Sequence, residues 1–403
     1  MTVLDERLRS TLNELKSAGT YKSLRYLTQP MAPVTTIEGL GEVLVFCSNN
    51  YLGLANHPEV VEAGIAGLRE YGAGTASVRF ICGTMACHRD LEERLAEFLG
   101  TEAALTYVSC WNANEGLLPN LVQKGDAIVS DELNHASIID AGRLAKQATR
   151  KVFAHSDMNS LEATLQEVES SPVKVVITDG VFSMEGDVPK LPEMVTICRR
   201  HNATLVVDDS HGTGVIGQNG RGVHEHFGLP GKAPGGVDIF TGTLGKALGG
   251  AAGGYVAGPR DVIDYLIQRS RPQLFSNALP PTVACSANKA LEILQREPER
   301  VAKLHANVDR MRNGLRALGY EVMESPTAIL PIIVGETAEA IRLSNRLLDM
   351  GAFVIGFGFP VVPEGTARLR VQMSAAHTDA HIDRALEAFA TLKEDGSGKL
   401  DCP

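Results

Sequence analysis

The chain has 403 residues, of which 44% are hydrophobic and 21% are charged, and these proportions are typical of a folded globular protein. Its 40 glycines and 19 prolines follow no period, which excludes collagen-like and coiled-coil architectures. The 48 acidic residues outnumber the 38 basic residues and give a formal net charge of −10, which argues against a general nucleic-acid-binding surface. The length predicts two lobes around at least one large core.

The sequence also bears on the cellular compartment. It has no uninterrupted run of about 20 apolar residues, so we expect no transmembrane helix. The first ten residues, MTVLDERLRS, include acids where a signal peptide has a basic start and an apolar run. The seven cysteines are odd in number and form no Cys-x-x-Cys pair, as expected for reduced thiols in the cytosol. We therefore predict a cytoplasmic protein without a metal site.

Taken in chain order, the first element is a short amphipathic helix predicted at 4–18, and Pro30 and Pro33 then mark an irregular crossing segment. From about residue 50, short β-branched runs alternate with helical patterns. The predicted strands are 105–108, 127–129, 173–178, 204–207 and 239–241. The predicted helices are 59–71, 90–99, 138–146, 191–201 and 260–269. This alternation predicts a mainly parallel sheet that is covered on both faces.

The pattern changes after about residue 285. Two helices and three strand-like pieces lead to a final helix, at 284–295, 298–318, 329–334, 352–355, 367–371 and 381–392. We therefore predict an N-terminal helix and crossing segment at 1–50, a large α/β domain at 51–285 and a small α+β domain at 286–403. The polar tail 394–403 is expected to fray.

Polar residues cluster at predicted strand ends, where open α/β sheets bind ligands. Asp208 ends one such strand, and His211 follows three residues later. The run 212–217 matches G-x-G-x-x-G, but a dinucleotide site needs glycines that open a helix directly after the strand. Here two aspartates precede the glycines, and the sequence QNGRG that follows is no helix. A dinucleotide site is therefore disfavoured.

Lys246 lies in a glycine-rich, otherwise apolar segment after another strand. Ala247 stands where a Walker A motif requires Ser or Thr, which argues against a nucleotide-binding loop. A lysine among small apolar residues is desolvated, which lowers its pKa as a Schiff-base amine requires. Together with Asp208 and His211 it indicates pyridoxal phosphate (PLP), whose ring nitrogen pairs with a carboxylate. The turn into a helix at 109–111 supplies donors for the phosphate.

Eight motifs in this order resemble those of the α-oxoamine synthase family of fold-type I PLP enzymes, over residues 20–392. They are CSNNYLGL (47–54), ASVRFICGT (76–84), NHASIID (134–140), TDGVFSMEG (178–186), DDSH (208–211), TGTLGK (241–246), RPQLFSN (271–277) and RLRVQMSAAH (368–377). The resemblance implies an α/β fold-type I transferase with a mainly parallel central sheet, a smaller α+β C-terminal domain and a homodimeric assembly.

The resemblance also implies a role for each site residue. Lys246 forms the Schiff base, Asp208 holds the pyridine nitrogen, His211 bonds the ring hydroxyl oxygen and His135 stacks on the ring. The further cofactor contacts that it implies come from Cys110, Trp111, Ser183 and Thr243, and from Ser276 and Asn277 of the other subunit. Substrate contacts are implied for Arg370 as a bidentate carboxylate clamp, for His135 and Ser183, and for Asn49 or Asn50.

Several of these residues have a structural alternative. His135 could cap the helix that follows it, Ser183 could close a turn, and Arg370 could pair with an internal carboxylate. These alternatives are independent of one another, whereas one cofactor accounts for all the positions together. We therefore favour the cofactor. Trp111 and Glu185 depart from the phenylalanine and aspartate that are usual in the family.

The implied reaction is the reversible condensation of glycine with acetyl-CoA to 2-amino-3-ketobutyrate and CoA, a step of threonine degradation. Alternatives are the condensation of alanine with a pimeloyl thioester, an enzyme that does both, and a non-catalytic relative of the fold. The segment ASVR at 76–79 favours the glycine reaction. Because the protein is acidic, coenzyme A needs local cations, for which the candidates are Lys22, Arg25, Arg269 and Arg271.

Overall fold

A computed structural model describes residues 2–232 and 234–394. Of the tail expected to fray, Glu394 ends the last helix, and 395–403, with Cys402, lie outside the described residues. The helices are α1 (Val3–Ser17), α2 (Pro58–Tyr71), α3 (Ala86–Leu99), α4 (Cys110–Leu121), α5 (Ala136–Leu144), α6 (Met158–Glu167), α7 (Leu191–Arg200), α8 (Val223–His226), α9 (Arg260–Arg269), α10 (Arg271–Phe275), α11 (Pro281–Arg296), α12 (Glu299–Ala317), α13 (Thr337–Asp349) and α14 (Asp379–Glu394). The strands are β1 (Val34–Ile37), β2 (Gly41–Val45), β3 (Ala103–Tyr107), β4 (Ala127–Asp131), β5 (Thr149–Phe153), β6 (Lys174–Asp179), β7 (Thr204–Asp208), β8 (Ile239–Thr243), β9 (Gly254–Gly258), β10 (Ile329–Gly335), β11 (Ala352–Phe353), β12 (Ile355–Phe357) and β13 (Ala367–Gln372).

The chain divides into two compact units. The large unit is Asn49–Leu304, and the small unit joins the residues up to Ser48 with those from His305 onwards. This division differs from the predicted one, in which 1–50 stood apart and the boundary lay at residue 285. Residue 285 lies inside α11, which packs against α2 and α3 of the large unit. Glycines in α2 permit this close packing, since a Cβ at Gly64 would lie 2.6 Å from the Ser286 hydroxyl.

The large unit is built on a seven-stranded sheet of order β3-β9-β8-β7-β6-β4-β5. Neighbouring strands from β8 to β5 run parallel, and only β9 is antiparallel to its neighbours. The mainly parallel sheet is therefore confirmed. Every residue of β3, β6 and β9 is buried, as expected for strands covered on both faces. The loops that follow β4, β6, β7 and β8 consequently meet at one edge of the sheet.

The small unit contains two three-stranded sheets, β1-β2-β11 and β10-β13-β12. The predicted strand 352–355 is divided, because β11 pairs with β2 whereas β12 pairs with β13. Helix α14 buries an apolar stripe that includes Ile382 and Phe389. Helix α1 buries no residue and exposes its leucines. Among the described residues, no helix is both long enough and apolar enough to cross a membrane.

Candidate active site

A cavity of about 230 Å³ lies in the large unit, where the loops after β4, β6, β7 and β8 converge. It brings together eight of the residues singled out from the sequence: Cys110, Trp111, His135, Ser183, Asp208, His211, Thr243 and Lys246. Ser109, which belongs to the predicted turn at 109–111, also lines it, together with four residues that were not singled out for a role: Ser137, Asp179, Val181 and Ser210. Thirteen residues from distant parts of the chain thus line one small cavity.

Asp208 is the last residue of β7, and its side chain is buried. Asn114 Nδ2 donates a hydrogen bond of 2.7 Å to its Oδ2, and the amide of Ser210 donates one of 3.1 Å to its Oδ1. Burial raises the pKa of Asp208, but side-chain hydrogen bonds from Ser210 and Asn114 and the electrostatic influence of His135 and Lys246 outweigh burial and lower it overall. The carboxylate is therefore held ionised inside the cavity wall.

Two neighbours of Asp208 were not assigned to it from the sequence. Asn114 lies on the buried face of α4, and its side chain is fully buried. The thiol of Cys110 lies 3.5 Å from Asp208 Oδ2. Burial and the charge of Asp208 raise the pKa of Cys110 well above its ordinary value, so the thiol keeps its proton and donates it.

The adjacent Asp209 serves the fold. Its carboxylate accepts hydrogen bonds from the Thr213 hydroxyl at 3.0 Å and from the Val223 amide at 3.2 Å. Burial raises the pKa of Asp209 to about 8. A Cβ at Gly212 or Gly222 would overlap this carboxylate. Gly212 of the G-x-G-x-x-G match and Gly222 beyond it therefore pack against Asp209, and no helix opens at 212–217, as the sequence indicated.

His211 and Tyr51 form a second buried contact beside the cavity. The Tyr51 hydroxyl lies 2.8 Å from Nδ1 of His211, and the two rings meet edge to face. The Tyr51 side chain is fully buried. The sequence motif at 47–54 contained this tyrosine without indicating its role. The contact orients the imidazole at the wall of the cavity, which His211 lines.

His135 caps a helix, and its ring also lines the cavity, so its predicted stacking on the cofactor stays a prediction. It is the N-cap of α5, where its Nδ1 accepts a hydrogen bond of 3.2 Å from the Ser137 amide. Its own backbone amide donates to Asp179 Oδ2 at 3.0 Å. The ring also lines the cavity and stands edge-on to Trp111. Burial lowers the pKa of His135, so a neutral aromatic plane faces the cavity.

Thr243 is the last residue of β8, and Lys246 follows three residues later. The Thr243 hydroxyl accepts a hydrogen bond from the Gly245 amide at 3.1 Å and donates one to the Gly253 carbonyl at 3.2 Å. A Cβ at Gly254 would overlap the Cys110 amide nitrogen. The glycines of this segment therefore let it lie against the N-terminus of α4, beside the cavity.

The cavity also includes that N-terminus of α4. Ser109 is the N-cap, and its hydroxyl accepts a hydrogen bond from the Asn112 amide at 3.1 Å. The first amides of a helix, here those of Cys110 and Trp111, have no acceptor within the helix and favour an anion. Trp111 is partly exposed and donates through Nε1 to Glu115 at 2.8 Å.

The other predicted site residues do not line this cavity. Ser276 and Asn277 line a separate small cavity with Arg79. Asn50 accepts a hydrogen bond of 3.1 Å from the Ala55 amide and closes a turn. Arg370 lies in β13 of the small unit, where its guanidinium donates to Gln372 and stands 4.5 Å from the Phe357 ring. The predicted roles of Asn49, Asn50, Ser276, Asn277 and Arg370 stay predictions.

The four predicted coenzyme A cations occupy three places. Lys22 and Arg25 share a cavity of about 450 Å³ in the small unit. Arg269 lines another cavity, in the large unit. Arg271 lies 5.3 Å from the Phe275 ring. The structure does not bring the four together, and their predicted role stays a prediction.

The residues of the cavity fit PLP. An ionised carboxylate in a buried wall calls for a cationic partner, and the protonated pyridine nitrogen is one. His135 supplies an aromatic plane, Lys246 an amine and His211 a ring nitrogen, while the N-terminus of α4 and Thr243 supply donors for a phosphate.

Comparison with known proteins agrees with this fit. The family model "Aminotransferase class I and II" matches residues 41–389. The chain is 46% identical to human mitochondrial 2-amino-3-ketobutyrate coenzyme A ligase, over 96% of this chain and 91% of that protein. It is also 46% identical to 8-amino-7-oxononanoate synthase of Symbiobacterium thermophilum, over 96% and 98% of the two chains. A solved structure of SPT with PLP, 30% identical, superposes with a TM-score of 0.92 over 98% of this chain and 100% of that chain.

The chain therefore belongs to the class I and II aminotransferase family, and within it to the α-oxoamine synthases, as the sequence resemblance predicted. Its fold is that of a fold-type I PLP transferase, and PLP is the cofactor that the family and its solved relatives indicate.

Proposed function

We propose that this protein is a PLP-dependent acyltransferase that condenses glycine with acetyl-CoA and releases 2-amino-3-ketobutyrate and coenzyme A. The observation that carries the proposal is the cavity in which Lys246, Asp208, His211 and His135 meet. The similarity to 2-amino-3-ketobutyrate coenzyme A ligases over nearly the whole chain supports the choice of substrates.

The places of these residues in the cavity support the roles that the family resemblance implies for them. Lys246 would hold it covalently through Nζ, Asp208 would pair with the ring nitrogen, and His211 would bond the ring hydroxyl oxygen. The amides of Cys110 and Trp111 would take the phosphate. When bound, the pyridine ring supplies an electron sink for the charge left by a departing proton.

The chain's own groups would then bind the substrate and move its proton. Arg370 would hold the glycine carboxylate through two parallel hydrogen bonds. Lys246 Nζ would accept a proton from the substrate Cα and act as a general base. That carbon would form a bond to the thioester carbonyl carbon, and the carbon–sulfur bond would break as coenzyme A leaves. Ionised Asp208 would favour this step, since it keeps a positive charge on the ring.

We propose further that the enzyme is a cytoplasmic homodimer with shared sites. Ser276 and Asn277 do not line the cavity with Lys246 in their own large unit. Exposed apolar side chains surround them, including Phe80, Ile81 and Phe275, and such a patch is typical of a protein–protein interface. In a two-fold dimer each chain would then serve the site of the other.

A second candidate function is the condensation of alanine with a pimeloyl thioester. It is favoured by the equal identity to an 8-amino-7-oxononanoate synthase. One methyl group changes recognition by only about 1–3 kcal/mol, so one site could use both amino acids.

A matrix of amino acids against acyl thioesters tests the proposal, with free coenzyme A measured by a thiol reagent. Glycine with acetyl-CoA is expected to give the highest kcat/KM. Higher kcat/KM with alanine and pimeloyl-CoA would favour the second candidate. Release of no coenzyme A from any pair by the PLP-loaded protein would refute both. The Lys246→Ala variant serves as the control for thioester hydrolysis.

A further inference from the structure

His155 stands outside the cavity and forms a bridge between two carboxylates. Its Nδ1 lies 3.0 Å from Asp131 Oδ1, and its Nε2 lies 2.9 Å from Asp187 Oδ2. Both ring nitrogens therefore donate. Burial lowers the pKa of His155, but the hydrogen bonds and charges of the two aspartates outweigh burial and raise it to about 10. The bridge thus consists of an imidazolium between two carboxylates at neutral pH.

Each aspartate belongs to a loop that leads into the cavity. Asp131 ends β4, and its Oδ1 also accepts from the Leu133 amide at 3.0 Å, in the turn that ends at His135. Asp187 follows β6, and its carbonyl accepts from the Phe182 amide at 3.1 Å, in the turn that carries Ser183. Both His135 and Ser183 line the cavity.

His155 also contacts the second turn through its ring. It meets the buried ring of Phe182 edge to face at 4.4 Å. The other carboxylate oxygen of Asp187, Oδ1, is buried and has no hydrogen-bond partner among the described residues. Loss of the imidazolium would therefore leave a partly buried charge without its cation, which is costly.

We propose that His155 is a positioning residue, which locks the turn at 131–135 to the turn at 181–187 and so fixes His135 and Ser183 against the bound cofactor and substrate. This inference rests on the proposed function for the ligands that the two turns would face. The bridge itself joins three loops at one edge of the sheet, because β5, β4 and β6 are neighbouring strands.

The chain offers a matched control. His201 also lies between two carboxylates, with its Nδ1 2.8 Å from Glu169 and its Nε2 3.3 Å from Glu162. None of these three residues lines the cavity. His155→Gln and His201→Gln thus remove the same type of bridge at two places. Asp187→Asn removes the carboxylate on the Ser183 side alone and leaves Asp131 intact.

Hydrogen exchange on the cofactor-free protein and PLP titration by absorbance test the inference. His155→Gln and Asp187→Asn are expected to speed amide exchange about tenfold or more in 131–136 and 181–187 only. They should weaken PLP binding or lower kcat by about 10- to 100-fold, whereas His201→Gln changes neither by more than about twofold. Because one bridge is involved, the double variant His155→Gln/Asp187→Asn should be no worse than the worse single variant.

Two results would overturn the inference. One is unchanged exchange in these two turns together with unchanged PLP affinity in both single variants. The other is an effect of His201→Gln as large as that of His155→Gln, which would mark general destabilisation. The exchange measurement needs neither cofactor nor substrate. It therefore tests the role of His155 separately from the proposed reaction. If the matrix of amino acids and thioesters shows no activity, that result refutes the proposed function but not the bridge.

Discussion

Asn114 provides the sharpest test of the electrostatics around Asp208. Its side chain is fully buried, and Nδ2 donates to Asp208 Oδ2 at 2.7 Å and to Ser137 Oγ at 2.9 Å. Its Oδ1 is buried with no hydrogen-bond partner among the described residues. Asn114→Ala therefore removes the hydrogen-bond donor to the Asp208 carboxylate. The Oδ1 acceptor that is lost with it has no hydrogen-bond partner among the described residues. A hydrogen bond to a charged group contributes about 1.5–3 kcal/mol.

This energy acts on the ionised form of Asp208 only. Its loss raises the pKa of Asp208, and the ratio of ionised to protonated carboxyl falls by a factor of about 10–100. The pKa of Asp208 is lowered in the parent protein, so the carboxylate is protonated there only when the pH falls well into the acid range. The variant should lose the carboxylate, and with it the partner of the ring nitrogen, at a higher pH.

The assay is PLP titration by absorbance over a series of pH values, with Asn120→Ala as the control. Asn120 lies in the same helix, and its Nδ2 donates only to a backbone carbonyl, that of Gly116, at 2.8 Å. We expect the PLP affinity of Asn114→Ala to match the parent at alkaline pH and to fall progressively below it in acid. An equal loss of affinity at every pH, or none at all, would refute the proposed pairing of Asp208 with the ring nitrogen.

Three further predictions concern the remaining residues. Lys246→Ala should abolish turnover and the borohydride-fixed link between cofactor and chain, and a link that persists on another lysine would contradict the assignment. Arg370→Lys keeps the charge but loses the planar fork, so the KM for glycine should rise at least about tenfold with PLP affinity nearly intact; saturation at the parental glycine concentration would argue against the clamp. Lys246→Ala chains that are unfolded and remixed with Ser276→Ala/Asn277→Ala chains should regain roughly a quarter of the parental activity, because half of the random dimers are mixed and each mixed dimer contains one intact site of two. Heterodimers that stay inactive would refute the proposal that the two subunits share their sites.

The sequence predicted the central sheet well because its strands are short apolar runs that are buried on both faces. It missed β5, whose residues are mostly exposed or partly exposed, since an edge strand does not show the same apolar pattern. It also missed β9, because the preceding glycines resemble a loop. The boundary at 285 was misplaced because the packing of α11 on α2 depends on long-range contacts that periodicity does not report.

Residues of the candidate site could be predicted from the sequence where a residue type in its sequence context has few ordinary structural roles. A lysine among glycines and an aspartate at the end of an apolar strand each indicate a chemistry by themselves. Asn114, Tyr51 and His155 have many ordinary uses, and only their distances to Asp208, His211 and the two aspartates assign them a role. Residues that act on another side chain are therefore the part of a site that sequence alone predicts least well.

The contrast between Asp208 and Asp209 shows why the sheet edge determines this chemistry. The two residues are neighbours, and both are almost fully buried. Hydrogen bonds to Asp208 lower its pKa, whereas burial raises the pKa of Asp209 to about 8. The difference arises because Asp208 lies at the strand end, where α4 supplies an amide donor, while Asp209 is enclosed by glycines and held by one hydroxyl and one amide. Asp208 is thereby suited to stabilise a cation in the cavity, and Asp209 is suited to hold the turn that follows Asp208.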